Sequence, residues 1–293
     1  MIYEKQDIYA LMKGPPGLLH ACIGTPVTGN PTQYMIEQAF HHHSLPHRYL
    51  TFDIPTDRFA GTMEGLKALG FNGWNITSPY KVEATGYVDR LSPSAKLIGA
   101  INCVFRESDE YVGENTDGKG FLQALRERTG VKGKRVLVFG SGGAARSVIC
   151  ELALEGAGSI HIVNRELRKA EQIIKDLEQE ISTKLTAEPL GTQYVIEDSF
   201  DIIVQATSVG LFDENSIIPV VFHTGDFSET IACDVVFNPV HTRFLDAAQK
   251  AGCDTLDGLG MLAHQGAIIY TAWTGAEAPL EVMKRSLLES FAV

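Results

Sequence analysis

The sequence lacks a surplus of basic residues. Its 293 residues include 25 Lys and Arg against 36 Asp and Glu, which gives a formal charge of −11 at pH 7. Nucleic acids and anionic membrane surfaces are bound mainly through clustered positive charge, and no such cluster is present. The balance therefore argues against nucleic acid or a membrane as the main partner and leaves a small molecule, held by a few local polar residues, as the expected ligand.

Cysteine pairs and metal-ligand spacings are also missing. The five cysteines are scattered, odd in number and never spaced as C-x-x-C: Cys22, Cys103, Cys150, Cys233 and Cys253. This favours reduced, mostly buried thiols over a disulfide framework or a zinc site. The run His41–His43 does not change this, because consecutive helical side chains point about 100° apart and cannot share one ion. We predict an exposed helix C-terminus there, before Pro46, and no metal site.

Long apolar runs are absent as well. No stretch reaches the roughly 18 apolar residues of a membrane span, and the N-terminal MIYEKQDIYALMKGPPG is charged where a signal peptide has its apolar core. With 44% hydrophobic and 21% charged residues, the chain is expected to fold as one large or two ordinary domains. We expect a cytoplasmic protein.

The first part of the chain alternates short apolar runs with helical periodicity. Strands are predicted at 18–24 (LLHACIG), 47–54 (HRYLTFDI) and 73–77 (GWNIT), and helices at 32–43 and 56–69. Strand–helix–strand order implies a mainly parallel sheet covered by helices.

A second unit of the same type begins near residue 118. It has β-rich runs at 134–140 (KRVLVFG), 159–164 (SIHIVN), 201–208 (DIIVQATS) and 231–238 (IACDVVFN). A charged helix is predicted at 165–181, and the stretch from Gly258 to Phe291 is expected to be helical. The fold class is therefore α/β with two domains.

A glycine loop follows the first strand of this second unit directly. It matches G-x-G-x-x-A and opens a helix: Gly140, Ser141, Gly142, Gly143, Ala144 and Ala145. The glycines permit a tight turn and close backbone approach to a pyrophosphate, while the small last residue lets helix and strand pack closely. The free N–H groups of the helix N-terminus favour phosphate binding. The loop predicts a dinucleotide cofactor.

The end of the next strand predicts which dinucleotide is bound. NAD sites usually place an acidic residue there, whereas NADP sites supply Arg for the 2′-phosphate. Asn164 stands where the acid is expected, followed by Arg165, and Arg168 lies one turn further on. Glu166 argues against NADP, because it could bind a ribose hydroxyl and repel a phosphate. NADP is preferred as the cofactor, with NAD as the alternative.

The stretch NITSPYK, residues 75–81, is on its own compatible with a turn and a solvated Lys81. Its place in a series of motifs favours a functional role for Lys81. In order, the chain carries NITSPYK, GAINC (99–103), GENTDGKG (113–120), GSGGAA, VNR, QATSVGL (205–211), DVVFNP (234–239) and DGLGMLAHQGA (257–267). From about Cys22 to Gly275 this series resembles the shikimate dehydrogenase family, which includes the quinate/shikimate dehydrogenases.

The resemblance implies an α/β substrate domain, a Rossmann domain, and C-terminal helices that return to the first domain. The implied domains are 1–117, completed by 258–293, for substrate and 118–257 for cofactor. It implies that Lys81 and Asp117 form the catalytic pair. It further implies that a polyhydroxy carboxylic acid is bound by Asn75, Thr77, Asn102 and Gln265, and that Thr207, Ser208, Val235, Gly258 and Met261 flank the cofactor.

These residue types suit the implied chemistry. Oxidation of a secondary alcohol needs a group that takes the hydroxyl proton as hydride leaves the same carbon. A lysine can do this when its pKa is lowered, or can act as a cation beside a carboxylate. Asn, Thr and Gln offer both donors and acceptors, as a ligand covered in hydroxyls requires.

The chain departs from the family where the substrate carboxylate is expected. The family has a serine pair there, but Asn30 and Thr32 occupy the two positions. Cys103 and Phe237 each stand where a hydroxyl-bearing residue is usual. Because the catalytic motifs are intact and the carboxylate-binding ones are altered, we predict a paralogue with a shifted substrate preference, such as quinate or a related cyclohexane acid.

Several alternatives remain open at this point. The leading hypothesis is an NADP-preferring dehydrogenase that interconverts a shikimate-like alcohol and its 3-dehydro ketone. An NAD-dependent quinate/shikimate dehydrogenase is the second. A ligand-sensing protein without catalysis is the third. The sequence leaves open a role in aromatic amino acid biosynthesis or in catabolism, and a monomer or a homodimer.

Overall fold

The computed structural model of the chain describes residues 17–27, 29–197 and 199–291. Its strands are β1 (Leu19–Gly24), β2 (Arg48–Asp53), β3 (Gly73–Ile76), β4 (Arg90–Leu91), β5 (Cys103–Glu107), β6 (Glu110–Glu114), β7 (Arg135–Phe139), β8 (Ser159–Asn164), β9 (Lys184–Pro189), β10 (Tyr194–Ile196), β11 (Ile202–Gln205), β12 (Val220–Phe222), β13 (Ile231–Asp234) and β14 (Asp254–Leu256). Its α-helices are α1 (Thr32–His42), α2 (Phe59–Ala68), α3 (Pro93–Ile98), α4 (Asp117–Arg126), α5 (Gly143–Leu154), α6 (Leu167–Leu177), α7 (Arg243–Ala251), α8 (Gly258–Thr274) and α9 (Leu280–Phe291). Two 3-10 turns cover Thr56–Arg58 and Glu83–Tyr87.

The described chain divides into two compact units. Unit 1 comprises the described residues up to Ser92, Ala100–Glu114 and those from Gly266 onward. Unit 2 comprises Pro93–Gly99 and Asn115–Gln265. The functional domain boundaries given above stay a prediction.

Unit 1 is built on a six-stranded mixed sheet, counted over the described residues, in the order β2-β1-β3-β5-β6-β4. The three predicted strands β1, β2 and β3 are confirmed and are parallel. The pair β4–β6 is also parallel, whereas β5 runs antiparallel to β3 and to β6. Three of the five strand pairs are therefore parallel, which agrees with the predicted mainly parallel sheet.

Helix α1 packs on the C-terminal helix α9 in unit 1. Its buried residues Met35, Ile36, Ala39 and Phe40 recur at helical spacing, which gives one apolar face. A Cβ on Gly266 of α8 would come within 2.3 Å of Met35 Cε, so the absence of a side chain there allows close packing. This confirms the implied association of the C-terminal helices with the first domain.

Unit 2 contains an all-parallel sheet in the order β14-β13-β11-β7-β8-β9. Numbered along the chain within this sheet, the order is 6-5-4-1-2-3, which is the doubly wound Rossmann arrangement. Strands β10 and β12 form a separate parallel pair. The order reverses beside β7, and ligands of such sheets bind outside the carboxyl ends of the strands at that point.

The helical stretch predicted from Gly258 to Phe291 is interrupted. Helix α8 ends at Thr274, Gly275 has a φ of +70°, and α9 begins only after Pro279. Glycine in the left-handed conformation followed by proline ends a helix for steric reasons, so the predicted helical stretch consists of two helices, α8 and α9. Among the described residues, no helix has the length and apolar character needed to cross a membrane.

The histidine run lies at the end of α1, as predicted. His41 and His42 are exposed in its last turn. His43 caps the helix, and its Nδ1 lies 2.6 Å from the Tyr270 hydroxyl. The prediction of a helix C-terminus is confirmed.

All five cysteines are free and buried. Burial raises the pKa of the Cys22 and Cys253 thiols to about 11 and that of Cys150 to about 12. These three thiols are therefore protonated at neutral pH. That all five cysteines are free and buried agrees with the prediction from their scattered positions.

Candidate active site

A row of side chains crosses the sheet of unit 1 near the carboxyl ends of its parallel strands. Cys22 on β1 pairs with Asn75 on β3, and Asn75 pairs with Cys103 on β5. Thr51 and Glu114 continue the row on β2 and β6. Residues directly opposite one another on neighbouring strands project from the same face, so this row forms one polar strip.

Two predicted substrate-binding asparagines meet in this strip. The Asn75 amide donates from Nδ2 to the Asn102 carbonyl oxygen at 3.2 Å, and its Oδ1 accepts from the Tyr49 hydroxyl at 2.8 Å. Asn75 is 8% exposed and Asn102 3% exposed. Burial and paired hydrogen bonds hold both residues in place.

The altered carboxylate-binding loop is fixed by its own hydrogen bonds. Asn30 Oδ1 accepts from the Thr32 backbone N–H at 2.9 Å, immediately at the start of α1. Asn30 Nδ2 donates to Cys22 Sγ at 3.2 Å. The loop is thereby tied to the polar strip, and Thr32 is buried at 6% exposure.

Lys81 lies in the turn that follows β3 and is half-buried. Its carbonyl oxygen accepts from the Ile101 N–H at 2.8 Å, and the preceding Thr77 N–H donates to the Ile23 carbonyl at 3.0 Å. Burial raises the pKa of the Cys22 thiol, while the Lys81 charge acts in the opposite direction. The ammonium group is therefore within electrostatic reach of the polar strip.

The structure brings together the predicted residues Asn30, Thr32, Asn75, Thr77, Lys81 and Asn102 in unit 1. The other two predicted residues of this site, Asp117 and Gln265, belong to unit 2. Asp117 is the first residue of α4 and is 6% exposed, and its N–H donates to Asn115 Oδ1 at 3.2 Å. A Cβ on Gly120 would lie 2.7 Å from the Gln265 N and 2.6 Å from the Met261 O, so α4 and α8 are in backbone contact there.

The glycine loop has the backbone geometry that a pyrophosphate needs. Gly140 has a φ of +116°, and a Cβ there would lie 2.7 Å from the Ala206 carbonyl oxygen. Cβ atoms on Gly142 and Gly143 would meet nothing within 4 Å, so the backbone at the start of α5 is open to a ligand. Ala145 is fully buried, as close helix–strand packing requires. The loop therefore fits a dinucleotide phosphate at a helix N-terminus.

The end of β8 presents a basic group. Arg165 and Arg168 are exposed, and Asn164 Nδ2 donates to the Glu166 carbonyl at 2.9 Å, which shapes the turn. The Glu166 carboxylate accepts from Lys169 Nζ at 2.8 Å, and this hydrogen bond lowers the Glu166 pKa. Glu166 is thus paired with a cation of its own helix.

A buried polar network supports the loop that follows β11. Gln205 Oε1 accepts from the N–H and the hydroxyl of Thr207 at 2.6 and 2.7 Å, and Gln205 Nε2 donates to Asp234 Oδ1 at 3.3 Å. Asp234 is 1% exposed and also accepts from the Thr242 hydroxyl at 2.7 Å. Burial raises the pKa of Asp234 to about 7. The adjacent Ser208 is exposed.

The start of α8 lies directly against the end of β13. A Cβ on Gly258 would come within 2.4 Å of the Val236 carbonyl oxygen and 2.9 Å of the Val235 carbonyl oxygen. Val235, Gly258, Met261 and the 205–208 loop therefore lie at the same carboxyl edge of the unit 2 sheet as the glycine loop.

Four residues of these networks were not predicted from the sequence. Gln205 and Asp234 stand inside the motifs QATSVGL and DVVFNP without an assigned role. For Cys22 and Tyr49 the sequence gives only a polar tip within an apolar strand, since their contacts with Asn30 and Asn75 form only in the folded chain.

Three family models match the chain. They are the shikimate dehydrogenase substrate binding domain over residues 22–104, shikimate / quinate 5-dehydrogenase over 123–216, and the shikimate 5′-dehydrogenase C-terminal domain over 258–288. The shikimate dehydrogenase (NADP(+)) of Methanopyrus kandleri is 39% identical over 271 residues, which cover 91% of this chain and 93% of that protein.

The chain belongs to the shikimate dehydrogenase family.

Solved structures of the shikimate dehydrogenase fold agree with this assignment. The ligand-free 5-ketofructose reductase of Gluconobacter sp. strain CHM43 is 40% identical with a TM-score of 0.89, covering 94% of this chain and 99% of that one. Shikimate 5-dehydrogenase from Listeria monocytogenes, in complex with shikimate and NAD, is 30% identical with a TM-score of 0.84, covering 92% and 96%. This member of the shikimate dehydrogenase family is thus an NAD(P)-dependent oxidoreductase, and its homologues use NADP+ or NAD.

Proposed function

We propose that the chain is an NADP-preferring oxidoreductase that interconverts a secondary alcohol and a ketone on a small polyhydroxylated molecule, with Lys81 and Asp117 as the catalytic pair. One observation carries this proposal. Lys81 lies in the turn after β3, the strand that carries Asn75, and its carbonyl oxygen accepts from the N–H of Ile101, the residue before Asn102. A proton-transfer group beside several amides suits a ligand with many hydroxyls.

The residues of the chain supply proton transfer and positioning. A bound nicotinamide cofactor supplies the hydride for ketone reduction and accepts it in the reverse direction. The Lys81 ammonium stabilises the developing alkoxide and donates a proton to it, and in alcohol oxidation the amine takes that proton. Asp117 orients and balances the Lys81 charge. Asn75, Thr77, Asn102 and Gln265 bind the hydroxyl groups of the substrate.

The cofactor is held by unit 2 in this proposal. The open backbone at Gly142 and Gly143 would take the pyrophosphate, and the exposed Arg165 would take the 2′-phosphate of NADP. Because Glu166 is paired with Lys169, its repulsion of a phosphate is reduced, which favours NADP over NAD. We propose residues 1–117 with 258–293 as the substrate domain and 118–257 as the cofactor domain.

Two substrate classes compete. Shikimate, or a closely related cyclohexane or cyclohexene polyhydroxy acid, is favoured by the identity to the shikimate dehydrogenase of Methanopyrus kandleri. A neutral polyhydroxy ketone is favoured by the likeness to 5-ketofructose reductase and by the contacts of Asn30. A carboxylate requires donors only, and Asn30 presents a carbonyl oxygen beside its N–H. The neutral ketone is therefore our preferred substrate class.

A kinetic matrix tests this proposal. 5-Ketofructose and 3-dehydroshikimate are each reduced with NADPH and with NADH, and shikimate and quinate are oxidised with NADP+ and NAD+, with kcat/KM measured for every pair. We expect 5-ketofructose with NADPH to give the highest value. A clear preference for 3-dehydroshikimate would instead show that Asn30 and Thr32 preserve carboxylate binding. Absence of turnover in every pair, with NADPH binding retained, would support the non-catalytic sensor.

Arg165→Ala is expected to raise the KM for NADPH about 10- to 100-fold, because a hydrogen bond to a charged group contributes about 1.5–3 kcal/mol. The KM for NADH should change less than about 3-fold, since NADH has no 2′-phosphate. The control is Arg126→Ala, which removes an arginine of unit 2 that is paired with Glu155. Equal changes for both cofactors in Arg165→Ala would show that Arg165 does not distinguish them.

A further inference from the structure

Hydrogen bonds hold the Asn30 side chain at both of its polar atoms. The Thr32 N–H donates to Asn30 Oδ1 at 2.9 Å. Asn30 Nδ2 donates to Cys22 Sγ at 3.2 Å. Cys22, which lies outside the family motifs, therefore holds one end of the Asn30 amide.

Asn75 is held in a similar way on the neighbouring strand. The Tyr49 hydroxyl donates to Asn75 Oδ1 at 2.8 Å, and Asn75 Nδ2 donates to the Asn102 carbonyl oxygen at 3.2 Å. Because Cys22 and Asn75 are direct partners on β1 and β3, both held amides belong to the same polar strip.

Backbone groups fix the orientation of both amides. A backbone N–H, here that of Thr32, can only donate, and a backbone carbonyl, here that of Asn102, can only accept. Turning over the Asn30 or the Asn75 amide would therefore lose its bond to that backbone group. Among the described residues, each amide keeps one N–H and one carbonyl lone pair for a ligand.

We propose that Cys22 is a positioning residue that sets the substrate preference, by holding Asn30 so that it offers one donor and one acceptor together. A hydroxyl group uses both, whereas a carboxylate can only accept and would face the Asn30 carbonyl oxygen. The end of the substrate at Asn30 is then a neutral hydroxyl, and the substrate class is an uncharged polyhydroxy ketone. This inference rests on the proposed function.

Cys22→Val and Cys22→Ser test the inference. Valine removes the donor and acceptor of the thiol at similar volume, while serine keeps both. The readout is the ratio of kcat/KM for 5-ketofructose to that for 3-dehydroshikimate, each with NADPH, because this ratio does not depend on the fraction of folded enzyme. We expect Cys22→Val to lower the ratio about 10-fold or more, mainly through the KM for 5-ketofructose. Cys22→Ser should stay within about 3-fold of the parent.

Two further variants keep the test decisive. Cys253→Val replaces an equally buried cysteine of unit 2 and should leave the ratio unchanged. Cys22→Ala also removes the thiol, with a smaller side chain, and should lower the ratio even if Cys22→Val fails to fold. An unchanged ratio in both Cys22→Val and Cys22→Ala, or an equal fall in Cys22→Ser and Cys22→Val, would overturn the inference while the proposed function stands. Absence of turnover with both ketones in the parent would overturn the proposed function, and this inference with it.

Discussion

Lys81→Ala is expected to lower kcat for ketone reduction by about 10²- to 10⁴-fold, which is the range that a positioned proton-transfer group contributes. The dissociation constant for NADPH should stay within about 3-fold of the parent, because the proposed cofactor residues belong to unit 2 and Lys81 to unit 1. Single-turnover reduction of the ketone gives the first quantity and quenching of protein fluorescence by NADPH the second. Loss of both together would indicate a folding defect.

Lys67→Ala is the matched control for this experiment. Lys67 is a partly buried lysine of unit 1, paired on α2 with Glu64 at 3.7 Å. Its removal should change kcat less than about 2-fold, because surface ion pairs contribute little. A kcat for Lys81→Ala that matches the Lys67→Ala value would remove Lys81 from the mechanism.

Asp234→Asn should become more stable relative to the parent as the pH rises from about 4 to about 7. Burial raises the pKa of Asp234 from 3.8 to about 7 in the folded chain. Between these values the unfolded state releases a proton that the folded state retains, so rising pH favours unfolding of the parent. About three pH units at 1.36 kcal/mol each correspond to ~4 kcal/mol. Asparagine carries no such proton, so the free energy of unfolding of the Asp234→Asn variant does not fall for this reason as the pH rises.

The measurement is the difference in free energy of unfolding between Asp234→Asn and the parent, from urea denaturation at pH 4.5, 6 and 7.5. Because the difference is taken at each pH, the contributions of all other carboxylates cancel. Asp226→Asn serves as control, since a hydrogen bond from the Ser228 N–H lowers the pKa of the exposed Asp226. A difference for Asp234→Asn that does not vary with pH would show that its carboxyl is already ionised at pH 4.5.

Most of the strands that the sequence predicted are buried on both faces, although β2, with only Tyr49 fully buried, was predicted as well. Val136–Phe139 on β7 and Ile202–Gln205 on β11 are continuous apolar or β-branched runs because both faces of a parallel sheet are covered. Strands β5 and β6 have charged ends around a tight turn at Ser108, where φ is 57°, and β4, β10, β12 and β14 have only two or three residues each. Such short segments carry too few residues for their periodicity to be recognised.

The residues of the candidate site also fall into those that the sequence predicted and those that it did not. The glycine loop and Lys81 stand in motifs, so residue type and order were enough to propose them. The pairing of Glu166 with Lys169 follows an i, i+3 spacing that a helix prediction could also have revealed. The positions of Cys22 and Tyr49 relative to Asn75 depend on the register of β1 against β2 and β3, which pairing of strands far apart in the chain determines.

The five buried cysteines can also be used to measure local opening of the native chain. Cys22 and Cys103 belong to unit 1, and Cys150, Cys233 and Cys253 belong to unit 2. A thiol reagent can modify each of them only when the surrounding structure opens, so the modification rate at each position records how often that part of the chain opens. Slower modification in one unit on adding NADPH, and in the other on adding a ketone, would assign each ligand to its unit without any engineered label.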